Sequence, residues 1–146
     1  MGKNNKKPEV VIAYLIVNKK GELLLSKSAK WDDVYVLGGG HVEWGESLLD
    51  AVKREAKEEI GLNVKPLYCV NIGQSINPKK FNRSAHMLFF HFVCRALSIK
   101  IKIDKKDITE AIWIKPQKAL KLNIREHAKT SIKNYIHGKH FDIETK

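Results

Sequence analysis

The chain predicts an α/β domain in which one amphipathic helix lies between two groups of strands and a second helix closes the fold. Three observations carry this expectation. Apolar and β-branched segments recur from Val10 to Val17, from Val64 to Ile72 and from His86 to Ala96. Between the first two lies a stretch with the 3.6-residue apolar period of a helix. The 146 residues, 43% apolar and 29% charged, suffice for a single buried core, with no linker or repeat to divide it.

The elements follow in order. A basic arm, residues 1–8, ends at Pro8. Val10 to Val17, the turn Asn18 to Gly21 and Leu23 to Leu25 form a hairpin. Lys27 and Lys30 lead into a loop of Trp31, Asp32 and Asp33, then a short strand from Tyr35 to Leu37. Gly38, Gly39 and Gly40 are expected to form a turn whose bare backbone lies close to its neighbours. Ser47 caps a helix that runs to about Ile60, and Gly61 supplies the left-handed residue that stops it. Leu49, Val52, Ala56 and Ile60 make one apolar stripe toward the core.

Beyond the helix, the strands from Val64 and from His86 are joined by a polar loop containing Asn77, Pro78, Asn82 and Arg83. Ile99, Ile101 and Ile103 alternate with lysines in the manner of an edge strand guarded by charge. Ala111 to Ile114 is a short strand, and Pro116 opens a helix reaching about Ile136, before a tail at 138–146.

Composition bounds the function. No apolar run approaches a membrane span, and MGKNNKKPEV lacks the hydrophobic stretch of a secretory signal, so a cytoplasmic protein without membrane partners is expected. Cys69 and Cys94 sit in strand-like segments and are expected to be buried thiols. His137 and His140 are expected at the surface. The net charge of +11 is spread over nearly every segment, which fits a soluble surface that attracts polyanions better than a nucleic-acid stripe.

The chemistry is concentrated between Gly40 and Leu62, GHVEWGESLLDAVKREAKEEIGL. Glu55, Glu58 and Glu59 fall three and four residues apart, so their carboxylates crowd one helix face and repel. A cation relieves that repulsion, and hard oxygen ligands suit Mg²⁺ or Mn²⁺. Glu55 and Glu59 are the first candidates for ligands. Arg54, four residues before Glu58, orients that carboxylate as a further ligand or an outer-shell group. Glu46 can bridge to the same site, and a backbone carbonyl of the glycine run, Gly40 in particular, adds an oxygen. Trp31, Tyr35, Phe81 and Phe89 are candidates to stack a base or to fill the core.

Gly40, Glu46, Arg54, Glu55, Ala56, Glu58, Glu59, Gly61 and Leu62 together resemble the signature of the Nudix hydrolases, with a smaller residue than usual at Ala56 and with Gly38 where proline is common. The resemblance implies an α/β/α sandwich around a mixed sheet over residues 9–137. It implies a Mg²⁺-dependent pyrophosphohydrolase of nucleoside diphosphates linked to another group, with (deoxy)nucleoside triphosphates expected first. The alternatives are an ADP-ribose or nucleotide-sugar hydrolase, or a module that binds nucleotide or RNA without turnover. In such enzymes the carboxylates matching Glu55 and Glu59 are the usual metal ligands. The general base is either a glutamate of this Gly40–Leu62 signature, the box, namely Glu58 or Glu59, or a downstream residue, here Glu110 or secondly Asp107. Gly39, Gly40, Trp31 and Tyr35 are the expected substrate contacts, and homodimers are common among relatives.

Overall fold

The computed structural model describes residues 6–144, so the start of the basic arm and the last two residues of the tail lie outside the described residues. The chain forms β1 (Glu9–Val17), β2 (Leu23–Ser28), β3 (Tyr35–Val36), β4 (Gly38–His41), α1 (Leu48–Ile60), β5 (Val64–Ile76), β6 (His86–Ala96), β7 (Ile108–Ile114), α2 (Pro116–Ala119) and α3 (Glu126–Ile136). The strands make one mixed sheet in the order β3-β2-β1-β6-β5, with β4 also beside β1 and β7 also beside β2. β1 and β6 run parallel from the pair Glu9 and Met87 to the pair Val17 and Arg95, and the other pairings are antiparallel.

β1 is apolar at successive positions because both of its faces are buried. Ile12, Tyr14 and Ile16 point to one core with Ala51, Val52, Ala56 and Ile60 of α1. Ala13 and Leu15 point to a second core with Ala119, Ala128 and Ile132. Helices therefore cover the sheet on both sides, as the resemblance implies. Cys69 and Cys94 are free and buried, and His137 and His140 are exposed, as expected.

Several expectations are corrected. Gly38–His41 is a strand, not a turn: Tyr14 pairs with Gly38, Ala13 with Gly39 and Ile12 with Gly40. Leu49 is 36% exposed, and Leu48 packs on the core in its place. Ile99, Ile101 and Ile103 form no strand. Their segment instead satisfies the end of α1, because the Lys102 amide donates to the Ile60 carbonyl and the Asp104 amide to the Glu59 carbonyl, each at 2.8 Å.

The expected C-terminal helix is two helices. The break at residues 120–125 arises because Tyr35 draws this backbone into pairing: its amide donates to the Asn123 carbonyl, and its carbonyl accepts from the Arg125 amide, both at 2.9 Å. Leu122 and Ile124 then pack into the second core. The tail folds back, with the Phe141 amide donating to the Cys69 carbonyl at 2.8 Å and the Phe141 ring packed on the first core.

Candidate active site

α1 is set as the sequence predicts. The Ser47 hydroxyl accepts from the Asp50 amide at 3.1 Å, and Gly61 ends the helix with φ at 70°. Burying Ala51, Val52, Ala56 and Ile60 turns Arg54, Glu55 and Glu59 toward the glycine strand. Glu59 is only 9% exposed. The Tyr14 hydroxyl and the Gly39 amide each donate to its Oε1 at 2.9 Å, and among the described residues Oε2 has no protein partner. Burial pushes the Glu59 carboxyl up to about 8, the Glu55 charge adds to the rise, and the Tyr14 and Gly39 bonds oppose it. Burial also raises Glu55, against the pull of Arg54.

Arg54 does more than orient Glu58. Its Nε and Nη2 hold both oxygens of Glu46 at 2.7 and 2.9 Å. Nη1 reaches Glu55 at 2.9 Å and Glu58 at 3.2 Å, and Nη2 also donates to the His41 carbonyl at 2.9 Å. One planar guanidinium thus ties the loop before α1 to two box carboxylates, a task its fork of donors suits and an ammonium does not.

The glycines have separate reasons. A Cβ on Gly39 would overlap the Ile12 backbone, and one on Gly40 would overlap the Glu55 carboxylate. Gly39→Ala should therefore fail at the level of folding. Gly40→Ala should fold with a small change in melting temperature but lose activity by about tenfold or more, because it displaces a carboxylate rather than backbone. Melting and turnover measured on the two variants check this contrast.

Among the described residues, no three Asp, Glu, His or Cys side chains converge into a ready-made cation site, and Glu58 leans to Arg54. The donor set nonetheless fits a hard divalent cation. Two partly desolvated carboxylates with raised pKa values lie together, and the bare surface of Gly40 makes room for one of them.

Gly39, Gly40 and Lys30 also line a pocket on the other side of the glycine strand. Lys30 pairs with Asp107 at 3.7 Å, and its charge lowers the pKa values of Glu55 and Glu59 slightly against the effect of burial. The pocket is walled by Trp31, Phe81 and Phe89, with His91 and Arg125 among the polar groups. Trp31 packs on Phe81 at 4.6 Å between ring centroids and carries the Arg125 guanidinium at 4.1 Å from its own.

Of the sequence candidates, the structure brings together Arg54, Glu55, Glu58, Glu59, Gly39 and Gly40, with Trp31 in the adjoining pocket. Tyr35 does not line that pocket; its hydroxyl donates to Glu110 at 2.7 Å, and Lys27 lies 4.0 Å from the same carboxylate. Tyr14, Lys30, His91 and Arg125 were not singled out from the sequence. Tyr14 sits 45 residues before the carboxylate it bonds, and only the strand order brings the pair together.

The NUDIX domain family model matches residues 6–135. An uncharacterized Nudix hydrolase of Nostoc is 28% identical over 84% of this chain and 73% of its own length. A nucleoside triphosphatase of Escherichia fergusonii is 26% identical over 83% of this chain and 94% of its own. Against four other relatives the chain spans less than half of their length. A NUDIX hydrolase structure from Nitrosomonas europaea superposes with a TM-score of 0.76 over 92% of this chain and 93% of that one, at 24% identity, and so shares the fold.

Proposed function

The chain belongs to the Nudix hydrolase family, and on that premise we propose that it hydrolyses the phosphoric anhydride of a nucleoside diphosphate derivative, first of all a (deoxy)nucleoside triphosphate, with Mg²⁺ or Mn²⁺. The observation that supports this most is the shared wall: Gly39 and Gly40 border both an aromatic and cationic pocket, which Lys30 also lines, and the carboxylates of Glu59 and Glu55. A nucleotide laid along that wall has its base in the pocket and its anhydride beside Glu55 and Glu59. The resemblance to a relative named as a nucleoside triphosphatase points to the same substrate class.

A bound divalent cation would neutralise the anhydride oxygens and acidify a water. Glu55 and Glu59, with the Gly40 carbonyl, would hold it. The residues of the chain do the rest. Lys30 pairs with phosphate oxygens at the junction. Arg54 fixes the box carboxylates against one another. Water attacks phosphorus, the bond to the bridging oxygen breaks, and a triphosphate yields nucleoside monophosphate and pyrophosphate.

For the proton taken from water we propose Glu58, whose side chain is 59% exposed where that of Glu55 is 14% exposed. Glu110 is engaged with Tyr35 and Lys27 instead. Glu58→Gln is then expected to lower kcat by about 10² to 10⁴. Glu110→Gln should change it by no more than about threefold, an effect of under 1 kcal/mol. Steady-state kinetics of the two variants decide the point, and the reverse pattern gives the role to Glu110. The function itself is tested by resolving the products formed from nucleoside triphosphates, ADP-ribose and nucleotide sugars with and without divalent cation. Turnover of none of them by folded protein would remove this reading.

A further inference from the structure

We propose that the pocket reads the edge of the nucleobase, and that Arg125 as donor and His91 as acceptor select bases bearing a carbonyl next to a ring N–H, namely guanine, hypoxanthine, thymine and uracil, over adenine and cytosine. The inference deepens the proposed function and rests on it.

The tautomer of His91 follows from its partners. His91 lies on β6 and is 4% exposed, with Nδ1 2.7 Å from the Ser131 hydroxyl. That hydroxyl spends its single proton on the His127 carbonyl at 3.0 Å. It also accepts from the Asn71 amide at 3.2 Å. One lone pair then remains for His91, and this arrangement assigns the proton to Nδ1. Nε2 keeps its lone pair. Among the described residues Nε2 has no protein partner, and it is not a sealed polar atom, so it opens on the pocket that His91 lines. Burial, with the nearby Arg125 charge, pushes the imidazole down to about 3, so the acceptor persists at neutral pH.

Arg125 supplies the opposite pole. Its amide is held by the Tyr35 carbonyl, its Nη2 donates to the Ser75 hydroxyl at 3.0 Å, and its plane rests on Trp31. Arg125 lines the same pocket as His91, and its other N–H groups have no partner among the described residues. Guanine and hypoxanthine offer O6 and N1–H to such a pair, and thymine and uracil offer O4 and N3–H. Adenine and cytosine present the reverse order, an amino group toward the guanidinium and a ring lone pair toward Nε2. In a desolvated pocket that mismatch leaves both poles unpaired.

The test uses nucleoside monophosphates, which bind without an anhydride to cleave. Calorimetric affinities of dGMP, dIMP, dTMP, dAMP and dCMP for the full chain are expected to favour the first three by about tenfold or more. Arg125→Met and His91→Leu, each checked for a cooperative melting transition, should bring the ratio to within about threefold. If His91→Leu does not fold, the wild-type ratio and Arg125→Met still decide. Equal affinities, a preference unchanged in Arg125→Met, or no binding at millimolar concentration overturns the inference. Triphosphate turnover measured in parallel separates the two proposals: turnover without base preference defeats only this one, and base preference without turnover of any substrate defeats only the function.

Discussion

Glu59→Gln is expected to abolish turnover and, at the same time, to raise the melting temperature of the metal-free protein above pH 8. Both follow from one carboxylate. Its folded pKa is raised from 4.5 to about 8, chiefly by burial, so the fold prefers the protonated form. The stability tied to that preference is fully present below about 4.5 and is lost as pH rises through about 8. Glutamine keeps the neutral shape, and its Oε1 can still accept from Tyr14 and Gly39.

At roughly 1.4 kcal/mol per pKa unit the gain amounts to a few kcal/mol. For a domain of this size that is on the order of 10 °C or more in melting temperature. The difference should vanish near pH 4, and Mg²⁺ should raise the melting temperature of the wild type but much less that of the variant. Turnover should fall by about 10³ or more, since the same carboxylate is needed charged. Thermal melts from pH 4 to 9 with chelator, beside kinetics, check both halves. A variant that melts below the wild type at pH 9 would contradict the account.

Arg54→Ala is expected to be the most damaging change that leaves the core untouched. It removes the bonds to Glu46, Glu55, Glu58 and the His41 carbonyl together. Glu46 and Glu55, with side chains only 15% and 14% exposed, are left as unpaired charges. Stranding partly buried carboxylates in this way costs about 2–4 kcal/mol. Activity should fall by about a hundredfold because the carboxylates lose their mutual placement. Arg54→Lys should recover little of either, since an ammonium cannot serve acceptors spread across a plane. Urea unfolding of the three proteins, with turnover measured alongside, tests the claim. A lysine variant equal to the wild type would show that only the charge matters.

Local rules account for what the sequence made legible. The α1 helix carries its cap, its stop and its apolar stripe within 15 residues, so its bounds and the crowding of Glu55, Glu58 and Glu59 could be read directly. The stripe erred at one place, because the first turn leans Leu48 rather than Leu49 onto the core. Where long-range contacts override propensity, the reading fails. Three glycines read as a turn, yet they form a strand because Tyr14, Ile12 and Glu55 press too close for any Cβ. The C-terminal helix breaks where Tyr35, some ninety residues earlier, claims the backbone of Asn123 and Arg125. His91 and Arg125 carried no motif. Their significance depends on Ser131, Ser75 and Trp31, which only the assembled sheet and α3 place beside them.

The central claim is that the box carboxylates and the pocket form one hydrolytic site for nucleoside diphosphate derivatives. Its most direct test is the product analysis of dGTP incubated with Mg²⁺ and either the wild-type chain or Glu59→Gln, resolving dGMP and pyrophosphate from dGDP and phosphate. The account predicts dGMP and pyrophosphate from the wild type, dependence on the cation, and no product from the variant. Wild-type rates in Glu59→Gln, or turnover indifferent to the cation, would contradict it.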